Sequence, residues 1–72
     1  MKIEVNKKLV KVFVGSRVKH AIRKYSIKDY KEVKKGRKLI RDKHGHKVML
    51  DGELIGEEEL FIEDSSNSQS NP

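Results

Sequence analysis

Within residues 16–25 the apolar side chains Val18, Ala21, Ile22 and Tyr25 fall at i, i+3, i+4 and i+7, one stripe of an amphipathic helix. No other stretch of the chain carries so clean a helical period. Arg17, Lys19, His20, Arg23 and Lys24 fill the opposite arc and are expected to be exposed. Ser16 is placed to cap the helix, its hydroxyl accepting from a free N–H of the first turn, and Gly15 lets the chain swing out of the preceding extended run. So short a helix is marginal in water, and its stability has to come from laying the stripe on a sheet.

The strands of that sheet are legible. Lys2-Ile3-Glu4-Val5 alternates with Ile3 and Val5 on one face, and Val10, Val12 and Val14 align in the next alternating run. Asn6-Lys7-Lys8 between them suits a tight turn, because Asn tolerates a positive φ. After Tyr25, Ser26-Ile27-Lys28-Asp29 resembles a capping box with an acid at the third helical position, and Gly36 supplies a stop. Ile27, Tyr30 and Val33 give a weaker stripe, so a short helix or a 3₁₀ turn is expected there. Leu39 and Ile40 head a third strand ending at Asp42, Lys43-His44-Gly45-His46 turns, and Lys47-Val48-Met49-Leu50 returns. Asp51-Gly52 marks a further turn, Leu54 and Ile55 anchor a crossing loop, and Leu60-Phe61-Ile62-Glu63 is the last strand. The expected core sets Val18, Ala21, Ile22 and Tyr25 against Ile3, Val5, Val10, Val12, Leu50, Leu54 and Ile62. Residues 1–63 form one domain, and residues 64–72, with nothing apolar to bury, read as a disordered tail or linker.

Leu, Ile, Val and Phe make up 20 of the 72 residues, enough for a small core. The net charge of +6 conceals a split. All 17 Lys and Arg lie within residues 1–47, against four acids, a balance of +13; residues 48–72 hold seven acids and no base. Such asymmetry marks either a basic binding face or a domain whose acidic end sits beside its basic face. The chain has no cysteine, hence neither a disulfide framework nor a thiolate metal site, and no run approaches the length of a membrane span. The first residues read as no signal peptide, so a cytoplasmic protein, monomeric and without cofactor, is expected.

In its hairpin, in the passage Val12-Phe13-Val14-Gly15-Ser16-Arg17-Val18 and in Leu50-Asp51-Gly52-Glu53-Leu54 before Leu60-Phe61-Ile62, the chain resembles the β-grasp (ubiquitin-like) superfamily over residues 2–63. The hairpin-to-helix passage is similar to that of small sulfur carriers and plant-type ferredoxins, and the acidic turn to that of TGS domains. The resemblance implies an α+β fold of ββαβββ order: a mixed sheet whose first and last strands are parallel and central, with one main helix across one face. A sulfur carrier needs a C-terminal Gly-Gly, whereas the five glycines here are never adjacent and none follows the last strand. Ferredoxin ligation needs cysteine thiolates, which the chain lacks.

The chemistry-bearing residues point away from catalysis. No nucleophile, base and acid come together in the sequence, Glu57-Glu58-Glu59 reads as a solvated charge run, and His44-Gly45-His46 reads as a turn in preference to a metal site. A candidate basic surface comprises Arg17, Lys19, Arg23, Lys24, Lys28, Lys31 and Lys35, with Phe13 and Tyr30 as the aromatic side chains left over for stacking. The expected function is a non-catalytic ubiquitin-like interaction or adaptor module with a protein partner. The alternative is a basic, TGS-like nucleic-acid-binding domain, in which those cations release counterions from phosphates.

Overall fold

The computed structural model describes residues 1–65, so the expected tail, apart from Asp64 and Ser65, lies outside the described residues. The fold begins with a hairpin of β1 (Lys2–Val5) and β2 (Lys8–Lys11). Asn6 and Lys7 both take positive φ, 51° and 68°, which makes a two-residue turn whose twist matches the strands it joins. Helices α1 (Val18–Tyr25) and α2 (Ile27–Lys34) follow, then β3 (Lys38–Asp42), β4 (Lys47–Val48) and β5 (Glu59–Asp64). The strand order is β2-β1-β5-β3-β4, with β1 and β5 parallel and the other pairs antiparallel. It is a small α+β fold with a mixed open sheet, and no helix among the described residues is long and apolar enough to cross a membrane.

The registers sort the side chains onto two faces. Ile3, Val5, Val10, Ile40 and Leu60 meet Val18, Ala21 and Ile22 of α1 in the core, and Leu54 joins them from the crossing loop. Two expectations for the core change: Ile40 and Leu60 belong to it, and Tyr25, Val12, Leu50 and Ile62 pack at its margin half-buried. The second strand stops at Lys11, so the expected alternation through Val14 is cut short. Phe13-Val14-Gly15-Ser16 instead closes a turn with Ser16 N–H donating to Phe13 C=O at 3.0 Å and Gly15 at φ 93°. That is the position where a type II turn requires glycine.

Ser16 does not cap α1. Arg17 is the N-cap, and its own N–H donates to His20 Nδ1 at 2.9 Å. The first-turn N–H groups are met by a distant segment: Val18 N–H donates to Gly52 C=O at 2.8 Å and Lys19 N–H to Leu50 C=O at 2.9 Å. An added Cβ on Gly52 would stand 3.2 Å from the Met49 carbonyl oxygen and 3.4 Å from Val18 Cγ2, so this close approach favours a residue without one. Ser26 serves two helices at once. Its N–H closes α1 on Ile22 C=O at 2.8 Å, and its hydroxyl accepts from Asp29 N–H at 3.1 Å to open α2.

The second helical segment is a full eight-residue α-helix, as long as the first. It ends where expected. Gly36 at φ 82° lets Arg37 N–H reach Glu32 C=O and its own N–H reach Val33 C=O. The fourth strand is shorter than expected, keeping Lys47 and Val48 but not Met49 or Leu50. The last strand runs through Asp64, one residue past the expected boundary, and Ser65 then donates its N–H to Arg37 C=O and its hydroxyl to Gly36 C=O.

Candidate interaction surface

The surface that stands out lies where β2 ends and α1 begins. Three consecutive apolar residues, Val12, Phe13 and Val14, occupy this corner, and only Val12 is half-buried. Phe13 is 87% exposed and Val14 86% exposed. The cause is local. Met1 and Val12 exchange backbone hydrogen bonds of 2.6 and 2.8 Å, which pins Val12 to the sheet, and the turn that follows throws the next two side chains outward. Single exposed apolar residues are ordinary, but a bulky consecutive pair at a turn tip has no part in this core.

Cations surround the pair. Phe13 stands between two shallow hollows of about 350 and 400 Å³, both bordered by Lys11, Val12 and Lys24; Ser16 and His20 close one, and Met1 and Lys2 the other. No carboxylate of the described residues forms an ion pair with Lys2, Lys8, Lys11 or Lys24. β2 is moreover an edge strand, with Lys8, Leu9 and Lys11 all exposed on it.

The structure divides the seven cations of the sequence-derived basic surface. Arg17 and Lys19 turn to the crossing loop: Arg17 Nη1 donates to Asp51 C=O at 2.8 Å, and Lys19 Nζ sits 3.3 Å from Asp51 Oδ1, leaving Lys19 half-buried instead of exposed. The Arg23 guanidinium lies 5.4 Å from the centre of the Tyr30 ring, which Lys34 approaches to 5.6 Å. Tyr30 is thereby occupied and half-buried, which removes it as a stacking platform and leaves Phe13. Lys24 borders the Phe13 hollows, while Lys28, Lys31 and Lys35 are exposed on or just beyond α2, with no ion pair among the described residues.

The acids are used locally. Glu58 folds back into its loop, where its carboxylate accepts from the N–H groups of Ile55, Gly56 and Glu57 at 2.8, 3.0 and 3.1 Å. Burial works to raise its pKa, yet these donors prevail and hold it below the usual carboxylate range. Asp42 does the same in the β3–β4 turn. The N–H of His46 is the main cause of its lowered pKa, opposed by burial and joined by the N–H of His44, both donating to Oδ1. The two imidazoles lie 6.2 Å apart, and no group of three His, Asp or Glu among the described residues is arranged to hold a metal ion.

What escaped sequence reasoning is the exposure of Leu9 and Val14 and the Glu58 loop. A signal existed for Val14, since Gly15 and Ser16 after two apolar residues fit a turn as well as a strand end. Comparison with known proteins gives no match: no family model, no curated protein and no solved structure aligns with this chain.

Proposed function

We propose that this chain is a β-grasp, ubiquitin-like interaction module that works without catalysis, as an adaptor for a protein partner. The observation that carries the reading is Phe13, a ring 87% exposed on a turn beside an open strand edge and bordered by Lys2, Lys11 and Lys24, which have no ion pair among the described residues. Aromatic side chains set among polar rims are the usual anchors of protein interfaces. The β-grasp assignment is supported by the strand order β2-β1-β5-β3-β4, by the central parallel pair β1–β5, and by α1 lying across β1 and β2. Photo-crosslinking tests it. With p-benzoylphenylalanine at position 13 in the full chain expressed in cells, nuclease-resistant protein adducts are expected, and none with the same group at position 28. Absence of protein adducts at position 13 overturns the reading.

A second reading, a nucleic-acid-binding domain, is favoured by one specific feature. Lys28, Lys31 and Lys35 present charge with no carboxylate paired to it among the described residues. Nuclease-sensitive adducts at position 28 would support that reading.

A further inference from the structure

We infer that the end of the sheet carrying Met1 is a two-fold interface, at which the partner of Phe13 is a second copy of this chain. This deepens the interaction-module reading by naming the partner, and it rests on that reading. The strand registers gather four segments at this end. β2 leaves the sheet at Lys11, opposite Lys2, and Val12 then exchanges hydrogen bonds with Met1. β5 enters beside β1 with Glu59 paired to Glu4, so the loop of residues 55–58 runs alongside the start of β1, where Glu4 N–H donates to Glu58 C=O at 3.1 Å. β3 leaves at Asp42, opposite Leu60. Across the end of the sheet the order is therefore Phe13, Met1, the Ile55 loop and the Asp42 turn. Met1 stands between the first and the third. It borders a hollow shared with Phe13, and an added Cβ on Gly56 would lie 3.6 Å from both its Cβ and its Sδ.

The two flanks of Met1 are both apolar at the tip and opposite in charge. On one flank Phe13 is 87% exposed and is bordered by Lys2, Lys11 and Lys24; on the other Ile55 is 84% exposed and is bordered by Glu57 and Glu59. None of these five charged groups forms an ion pair among the described residues. Glu58 and Asp42 already accept from backbone N–H groups of their own loops, and Lys43 and His44 border the acidic flank on the side away from Met1. A half turn about an axis through Met1 lays the basic flank of each copy on the acidic flank of the other. Both exposed apolar tips are then covered, and every Lys–Glu contact occurs twice, as a two-fold interface requires. Burial of Phe13 and Ile55 supplies the affinity, while the rim charges fix the orientation, because like flanks laid together would set lysine against lysine. The pair closes on itself, so assembly stops at two.

Analytical ultracentrifugation of the whole chain tests the interface. A monomer–dimer equilibrium is expected, and it should weaken as salt screens the flanks. Lys11→Glu with Lys24→Glu and, in a second variant, Glu57→Lys with Glu59→Lys should each raise the dissociation constant at least tenfold while circular dichroism stays unchanged. Each of these variants sets like charge against like at both contacts. Mixed in equal amounts, the two should pair about as tightly as the parent, because one contact is then native and the other has its charges exchanged. Phe13→Ser and Ile55→Ser should each weaken the dimer at least tenfold. A parent that stays monomeric at millimolar concentration, species larger than a dimer, or charge-reversed variants that stay apart when mixed would overturn the inference. If crosslinking at position 13 then captured a protein of different mass, the module reading would survive and only self-pairing would fall; failure of both would remove both.

Discussion

Asn6 Nδ2 donates to the Tyr25 phenol oxygen at 3.1 Å, joining the β1–β2 turn to the last residue of α1. The same side chain accepts from Ile62 N–H at 3.0 Å, so one amide ties the hairpin, the helix and the final strand together. Two roles therefore meet at Asn6: the positive φ of the turn and this bridge. Asn6→Gly keeps the first and loses the second, and it should cost about 1–2 kcal/mol. Asn6→Ala loses both, adding about 1 kcal/mol of left-handed strain. Urea unfolding of the two variants separates the roles, and equal stability of Gly and Ala would contradict the assignment.

Ile22 is fully buried and Val14 fully turned out, although both belong to apolar runs of the sequence. Ile22→Ala should lose about 2–5 kcal/mol, a large share of the stability of a domain this small. Val14→Ser should stay within about 0.5 kcal/mol of the parent. Thermal melts of both variants check the helix register and the end of β2 together.

Acid should act on the crossing loop through Glu58. Its pKa in the folded chain is lower than in the unfolded chain, so the stabilisation it provides is present above the unfolded value of 4.5 and is lost as pH falls through the folded value. Asp42 contributes in the same direction below its unfolded value of 3.8. Glu58→Gln should lower the melting temperature at pH 7 and flatten its decline below pH 4.5. A variant whose acid limb parallels that of the parent would rule out the latch.

The alkaline side depends on a different pair. Lys38 Nζ sits 2.7 Å from Asp29 Oδ1, and this hydrogen bond is the main cause of a lysine pKa above the usual range, with burial opposing it. Here the stabilisation is complete below the unfolded value of 10.5 and disappears as pH rises through the folded value. Both side chains are partly exposed, so the pair is worth about 1 kcal/mol at most. Asp29→Asn should lower the melting temperature at pH 8 and leave it close to the parent's well above pH 11. A difference that persists at high pH would place the effect in the α2 N-terminus instead.

Heparin retention probes the helix cations. Arg23→Glu combined with Lys24→Glu should abolish retention without unfolding the domain if those residues form the anion-facing side, and retention of the parent should fall as salt is raised. Retention unchanged by the double reversal would leave Arg23 and Lys24 a solubility device and would confine the nucleic-acid reading to Lys28, Lys31 and Lys35.

The i, i+3, i+4, i+7 stripe of Val18, Ala21, Ile22 and Tyr25 and the alternation of Ile3 with Val5 were enough to establish one helix and its sheet, because periodicity encodes which face of an element is buried. Turn chemistry was equally local: Asn6 before two lysines, Ser26 before Asp29, and Gly36 after α2 each act within a few residues of themselves. The strand order and the core places of Ile40 and Leu60 were decided by the pairing of segments far apart in the chain. So was the capping of α1. Ser16 has the right chemistry for a cap, but the carbonyls of Leu50 and Gly52 take the first-turn N–H groups, and only the closed fold brings them there. The candidate surface divides in the same way. Seven cations could be read from the sequence, yet tertiary contacts draw Arg17 and Lys19 to the Asp51 loop and Arg23 over Tyr30, while the end of β2 at Lys11 turns Phe13 and Val14 outward. Periodicity reports how a segment meets its own core; where a side chain finds its partner depends on segments that the sequence alone does not bring together.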